Sequence, residues 1–333
     1  MNLKILVTGS EGFIGSHIIE KLVKKGYKVK ALVLYNFNNS YGWLDTLDKK
    51  TLKEIEIIAG DIRDLGFLLQ ITKKIDIILH LAALISIPYS YKAPYSSLES
   101  NILGSFNILE SAKINSVKKI IMTSTSEVYG TAQQVPINER HPLNPQSPYA
   151  ASKVAADKIS LSYNRSFDLP VTIIRPFNTY GPRQSLRAII PSIISQLVSG
   201  KKIIEIGDIS PKRDFTYIND TVDAFLLAIK SKKIIGEEIN LGNGFDISIG
   251  QILNILKEDF KFDFKIKINK ERLRPKKSEV YRLIASNIKA KKLLNWKPKH
   301  NGLQGFRRGL KKTIKWYEDS NNLKYFRVNE YNI

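Results

Sequence analysis

Tyr149 and Lys153 stand four residues apart in the stretch SPYAASK, so on a helix they share one face. A free tyrosine, with a pKa of about 10, is a poor base near neutral pH. A lysine ammonium beside it favours the phenolate, which can then take a proton from a sugar or alcohol hydroxyl. Just upstream, the run IIMTSTSE places Thr125, Ser126 and Glu127 at the end of a strand, adding hydroxyls and a carboxylate. With 15 tyrosines in a lysine-rich chain, several such pairs arise by chance. The reading therefore depends on the elements that must position this one.

The first of those elements is at the N-terminus. Residues 3–8 are an apolar run ending in Thr8, followed by Gly9-Ser10-Glu11-Gly12-Phe13-Ile14-Gly15 and the helical pattern SHIIEKLVKKG. Gly9 permits a tight turn, Gly12 lets a pyrophosphate approach the backbone, and Gly15 lets the helix pack on the strand. The helix start at Phe13 and Ile14 then offers unpaired N–H groups and a positive dipole end to the phosphates. The second strand, YKVKALVLY, lacks the acid that an NAD site usually carries at its end. No arginine for a 2′-phosphate stands there either. Asn36 or Asn38 remains as a neutral partner, which leans to NAD and leaves NADP open.

A third strand, IEIIAG, ends at Asp61-Ile62-Arg63. Asp61 is placed to accept from the adenine amino group, or simply to cap a helix, and Ile62 to pack on the ring. The fourth strand, IDIILHLAA, brings Leu81, Ala82 and Ala83 to the cofactor with little bulk. Residues 95–114 read as a helix containing Asn101. A fifth strand carries TSTSEVYG, a helix runs from Ser147 to about Arg165, and a sixth strand is PVTIIRPFNTYGPRQ. Strands alternating with helices predict an α/β fold: a doubly wound (Rossmann) parallel sheet with its motifs along one edge. Gly/Pro breaks at 207–211 and 242–250 mark a smaller C-terminal substrate-binding region. The expected division is a core at 1–175 with strand and helix returns from later segments, a mainly nucleotide-sugar-binding region at 176–315 and a tail at 316–333. The tail is polar and aromatic, and is expected to lack fixed structure in part.

Composition excludes several classes. At 333 residues the chain can bury a large core, and 43% hydrophobic residues is ordinary for a globular protein. The absence of cysteine removes disulfides, thiolate metal sites and cysteine nucleophiles, and the four histidines have no metal-ligand spacing. No metal is expected. No apolar run is long enough to cross a bilayer, and the chain enters a strand with no signal peptide, so the expectation is cytoplasmic with no membrane partner. The net charge of +21 is scattered without a long basic block. It reads as service to an anionic small substrate and not to nucleic acid.

The glycine motif, Asp61–Ile62, HLAA and Tyr149/Lys153 together resemble the extended short-chain dehydrogenase/reductase (NAD-dependent epimerase/dehydratase) family. The resemblance runs from residue 3 to about 300 and includes PFNTYGPRQ, KRDFTYINDTVDA and RPKKSEVYRL. It implies a nucleotide-diphosphate sugar as substrate. Asn178 would hold a phosphate or sugar oxygen, Arg213 and Arg274 would neutralise the diphosphate, and Ser86 and Arg187 would lie against the sugar. The triplet Thr125-Ser126-Glu127 matches GDP-mannose 4,6-dehydratases and also UDP-glucuronate decarboxylases, and disfavours a 4-epimerase. The stretches LYNFNNSYGWLD, LAALISIPYSY and NTYGPRQSLRAIIP resemble the nucleotide-activated N-acetylglucosamine 4,6-dehydratases of the legionaminic-acid route, which feed bacterial surface glycans. Ser286 departs from a usual Asp and is expected to keep a helix cap. The helices at 95–114 and 149–165 carry apolar faces expected to form a homodimer. A cofactor-binding scaffold without catalysis is the rival from another class, and such scaffolds usually lose the tyrosine or lysine that stand here.

Overall fold

The computed structural model describes residues 3–328, 330 and 331. In chain order its strands are β1 (Lys4–Thr8), β2 (Lys28–Leu34), β3 (Ile55–Gly60), β4 (Ile77–His80), β5 (Lys119–Thr123), β6 (Val171–Pro176), β7 (Asn178–Tyr180), β8 (Ile203–Ile206), β9 (Lys212–Tyr217), β10 (Glu238–Leu241), β11 (Asp246–Ser248), β12 (Lys265–Ile268) and β13 (Arg282–Leu283). Seven of them form one parallel sheet in the order β10-β6-β5-β4-β1-β2-β3. The strands are short apolar runs because both faces are covered. Ile5 and Val7 join one buried cluster with Ile18, Ile19 and Leu22 of the helix Phe13–Lys24. Leu6 points the other way, into a cluster with Ile78, Ile108 and Leu109. The strand order reverses between β1 and β4, so the loops leaving these two strands flank the crevice where doubly wound sheets bind ligands.

The segment at 95–114 is helical throughout, as expected: a short helix Pro94–Leu98, a π-helical turn Glu99–Leu103 that holds Asn101, and a helix Gly104–Ile114 follow one another without a break. Two other expectations need correction. The sixth strand does not run through to Gln184: it ends at Pro176, and Asn178–Tyr180 leaves the main sheet to pair with β9. That places β7 in a second sheet with β9, β11 and β13. Ser286 caps nothing; its N–H bonds Ile137 O at 2.7 Å, and the helix Ile288–Leu294 has Asn287 at its cap position. Later segments also return to the core, since β10 closes the main sheet beside β6. Among the described residues no helix is long and apolar enough to cross a membrane.

The tail is ordered well past 316. The helix Gly302–Glu318 is followed by a short helix Ser320–Leu323. The Trp43 ring then lies 5.6 Å from Trp316, 5.5 Å from Tyr325 and 5.5 Å from Phe326. Edge contacts of this kind contribute about 0.5–1.5 kcal/mol each beyond area burial. They fasten the loop after β2 to the C-terminal segment. Trp43→Ala is expected to lower stability by about 2 kcal/mol in urea denaturation and to expose both segments to limited proteolysis. A change within about 0.5 kcal/mol and an unaltered cleavage pattern would contradict this anchoring.

Candidate active site

Backbone demands set the glycine loop. Gly9 has φ +67°, and a Cβ there would sit 2.8 Å from the Ala82 nitrogen; at Gly15 it would sit 2.2 Å from Gly9 O. Gly12 has ordinary φ, and its nearest neighbour would be Gly9 O at 3.3 Å. Gly12 caps the helix Phe13–Lys24 with no side chain bonded over the first turn and no acid in it. The N–H groups of Phe13, Ile14 and Gly15 precede the first helical bond, from Ser16 N to Gly12 O at 3.0 Å. Backbone donors, a bare α-carbon and a positive dipole end make a cradle that fits a dinucleotide pyrophosphate. The side chains of Phe13 and Ile14 pack into the core beneath it.

The loop after β4 is tied to the end of β1. Thr8 Oγ1 accepts from Leu81 N at 3.2 Å and Ala82 N at 3.1 Å, and donates to His80 Nδ1 at 2.9 Å. His80 Nε2–H then donates to Ser105 Oγ at 3.3 Å, a tautomer assigned from this network. Burial holds the His80 imidazole neutral, with its pKa pushed down to about 3. Ala83 follows, half-buried. Asn101 is fully engaged. Its Oδ1 accepts from Leu84 N at 2.8 Å, and its Nδ2 donates to Leu84 O and to Ser152 Oγ on the helix Pro148–Phe167. It thereby joins the loop at 81–84 to the helix that carries Tyr149.

Other expected ligands also have local duties. The Asn36 amide bonds Leu34 O, Ser40 O and Ser40 N, so it is spent on its own loop. Asp61 is gripped by the Arg63 guanidinium, which holds its carboxyl below the usual range, and the helix cap nearby is Asp64 instead. Ile62 is buried against Gly104, where a Cβ would meet its Cδ1 at 2.4 Å. Ser86 caps the helix Ile87–Lys92, accepting from Tyr89 N at 3.3 Å.

The chemistry-bearing groups gather where β5 ends. Thr125 caps a single 3-10 turn, Ser126–Tyr129, and its Oγ1 accepts from Glu127 N at 3.2 Å. Ser147 Oγ caps the helix Pro148–Phe167, which puts Tyr149 in the first turn and Lys153 one turn on. The Tyr149 phenol is buried beside the Thr125 side chain. Burial pushes that phenol well above its usual range; Thr125 opposes the shift, while the charges of Glu127 and Asp157 add to it. Lys153 Nζ donates to Thr123 O at 2.7 Å, and burial pushes its ammonium down against the pull of Asp157. Lys153 thus stands one helical turn from Tyr149 with its ammonium held on a strand carbonyl.

Behind Lys153 lies a buried network that the sequence reading missed. Asp157 Oδ2 accepts from Ser124 Oγ at 2.8 Å and from Arg175 Nε at 3.0 Å; Arg175 also bonds Tyr129 and Glu238. Asp157 follows Lys153 by four residues, a helical spacing that could have revealed it.

On the other side, Glu127 Oε2 lies 3.8 Å from Arg274 Nη1, which is 3.8 Å from Glu279 Oε1. Arg213 Nη2 donates to Glu279 Oε1 at 3.1 Å. Two guanidiniums thus face two carboxylates. Arg274 Nη1 and Asn178 Oδ1 are buried with no hydrogen-bond partner among the described residues. Arg274 also lines a cavity of about 470 Å³ with Pro88, Tyr91, Lys92 and Leu273. Ser126 is buried within the turn, whereas Arg187 lies at the surface and bonds Ser185 Oγ at 3.1 Å. The arrangement can move a proton at a bound hydroxyl through Tyr149, and one at a neighbouring carbon through Glu127.

Fold and site together define the NAD-dependent epimerase/dehydratase class, the extended short-chain dehydrogenases/reductases. More narrowly, the chain belongs to the GDP-mannose 4,6 dehydratase family, whose sequence model matches residues 6–309. It is 33% identical over 323 residues to a putative UDP-glucose 4-epimerase of Methanocaldococcus jannaschii, covering 95% of this chain and 99% of that one. It is 34% identical over 326 residues to human dTDP-D-glucose 4,6-dehydratase, covering 95% and 90%. The crystal structure of a Streptomyces venezuelae dTDP-glucose 4,6-dehydratase with NAD bound superposes with a TM-score of 0.85 at 27% identity, covering 98% of this chain and 100% of that one. Relatives of both chemistries therefore share this fold.

His80 gives the site a pH signature. Its folded pKa of about 3 lies below the unfolded value of 6.5. Its contribution is therefore complete above pH 6.5 and is lost as pH falls toward 3, at about 1.4 kcal/mol per unit. Denaturation at pH 7 and pH 5.5 is expected to show that loss in the wild type. His80→Gln, less stable at pH 7, should lack this part of the slope, and equal slopes would refute the assignment.

Proposed function

We propose that the chain is an NAD-dependent nucleotide-sugar 4,6-dehydratase, acting on N-acetylglucosamine carried on GDP or UDP and yielding the 4-keto-6-deoxy sugar. The observation that carries this reading is the buried Glu127 carboxylate, in the turn capped by the Thr125 hydroxyl that lies beside the Tyr149 phenol. A 4-epimerase has no need of a base at C5, and a dehydratase does. The stretches at 34–45, 81–91 and 178–191 support the N-acetylglucosamine assignment through their resemblance to the legionaminic-acid enzymes.

In this reading residues 176–315 supply the grip on the nucleotide sugar. Arg213 and Arg274 meet the diphosphate, and Asn178 meets a phosphate or sugar oxygen. Gly9–Gly15 and Leu81–Ala83 would hold NAD, which would supply the capacity to accept and return hydride and, when oxidised, a positive charge favouring the Tyr149 phenolate. Tyr149 takes the proton of the C4 hydroxyl, and Thr125 hydrogen-bonds the same oxygen. Lys153, fixed by Thr123 O and backed by Asp157, keeps positive charge beside the phenol. The resulting 4-ketone acidifies the C5 proton, which Glu127 removes. Water leaves C6 carrying the C5 proton passed on by Glu127, and as hydride comes to C6 a second proton, equivalent to the one Tyr149 took from the C4 hydroxyl, is delivered to C5 by Glu127 or a water held by Ser126. The hydride then returns to C6, so the reaction has no net redox change.

4-Epimerisation is the second reading, supported by the name of the Methanocaldococcus relative. A decarboxylase would bring a C6 carboxylate against Glu127, a like charge that Arg274 would have to offset. Incubation with GDP- and UDP-N-acetylglucosamine, UDP-glucuronate and GDP-mannose should give a product lighter by one water from an N-acetylglucosamine substrate. An isomer of unchanged mass, or loss of carbon dioxide from the glucuronate alone, would overturn the proposal. Glu127→Gln is expected to lower dehydration by about 10²–10⁴-fold while bound NAD is still reduced on substrate addition. Normal dehydration by that variant would remove Glu127 from its role.

We also propose a homodimer through the helices at 94–114 and 148–167. Leu103, Phe106, Ile114 and Phe167 are exposed there, side chains that a lone protomer leaves in water. Light scattering at micromolar concentration should give a dimer mass, and Leu103→Glu with Phe106→Glu should give a monomer. A monomeric wild type would refute this interface.

A further inference from the structure

We infer that Glu11 selects NAD over NADP, supplying from within the glycine loop the acid that this fold usually carries at the end of β2. The inference rests on the dinucleotide site proposed above and names the residue that sets its preference. In a doubly wound sheet, an acid at the end of the second strand accepts from the adenosine ribose hydroxyls. Here β2 ends at Leu34, the next residues are Tyr35 and Asn36, and the Asn36 amide is committed to its own loop. The position is not without a carboxylate. Glu11, immediately before Gly12, runs back to the end of β2, where its Oε1 accepts from Leu34 N at 3.0 Å. Its Oε2 is buried with no hydrogen-bond partner among the described residues.

The mount is firm. Glu11 O accepts from Trp43 N at 3.0 Å. Gly42, at φ +56°, packs so closely that a Cβ there would stand 3.0 Å from Glu11 Cβ. Trp43 is in turn clamped by Trp316, Tyr325 and Phe326. The carboxylate is therefore fixed beside the pyrophosphate cradle, with one oxygen spent on the backbone and one lacking a donor. Burial pushes its carboxyl up while the Leu34 amide holds it down. A ribose 2′-hydroxyl supplies the missing donor. A 2′-phosphate offers no donor when ionised and places about two negative charges against the carboxylate. One group thus attracts one cofactor and repels the other.

The test is calorimetric titration of the cofactor-stripped protein with NAD and with NADP, for wild type, Glu11→Gln and Glu11→Ala. Wild type should bind NAD about 100-fold more tightly than NADP. Glu11→Ala should bind NAD about 10-fold more weakly and NADP more tightly than wild type does. Glu11→Gln keeps the length of the side chain and an acceptor for Leu34 N, so it serves if the alanine variant does not fold. Its NAD-to-NADP preference should fall about 10-fold, chiefly through gained NADP binding. Equal affinity of wild type for both cofactors, or an unchanged preference in the variants, overturns the role of Glu11 and leaves the dinucleotide site standing. Binding of neither cofactor to wild type overturns both.

Discussion

The Thr8 hydroxyl joins the ends of two parallel strands, and the rest of the site hangs from that joint. It accepts from two successive N–H groups after β4 and donates to a buried neutral imidazole at the end of β4. Gly9 can then lie against Ala82 with no room for a Cβ. The glycine cradle and the turn at 81–84 therefore face one crevice at a fixed spacing. Asn101 extends the fixing to Ser152, and so to the helix of Tyr149 and Lys153. Three loops far apart in sequence become one surface through a few hydrogen bonds closed to water, where an unmade bond would cost about 1–3 kcal/mol.

The electrostatics of the site are those of charges held in reserve. Burial opposes charge on both Tyr149 and Lys153, raising the phenol and lowering the ammonium, while Asp157 pulls the ammonium back up. Asp157 and Arg175 stand behind it as a buried pair whose partners are satisfied, which matters because breaking such a pair costs about 3–5 kcal/mol. On the substrate side, Arg213 and Arg274 balance Glu279 and Glu127. A diphosphate arriving there would compete with Glu279 for the guanidiniums. That competition would leave Glu127 less masked by Arg274 once substrate is bound, which suits a group proposed to take a carbon-bound proton. Binding and base activation would then be one event.

Much of the fold was legible in the sequence because β1 to β5 are apolar runs closed by glycine, alanine or small polar residues, with amphipathic helices between them. β10 was not legible: it is four residues long, and its place beside β6 depends on chain that returns after more than sixty residues. The break between β6 and β7 was hidden because the apolar and aromatic pattern runs on through Phe177. Within the site, Tyr149 and Lys153 were visible through helical spacing. The approach of Arg274 to Glu127 joins residues 147 positions apart, which no local pattern reports. Glu11 was overlooked because the acid was sought at the end of β2, whereas the fold brings it there from the glycine loop. Asn36, Asn101 and Ser86 were chosen by residue type, and the bonds that their polar groups make within loops, turns and caps were not visible in the sequence.

The central claim is that one site removes a hydride at C4, lets Glu127 act at C5, and returns the same hydride at C6. The most direct measurement is to supply the N-acetylglucosamine substrate with deuterium at C4 and locate the label in the product by mass spectrometry and NMR. The account predicts a product lighter by one water with the deuterium at C6. Deuterium retained at C4 in a product of unchanged mass would show epimerisation, and deuterium lost to solvent would show that the hydride is not returned within the site. Either result would contradict the account.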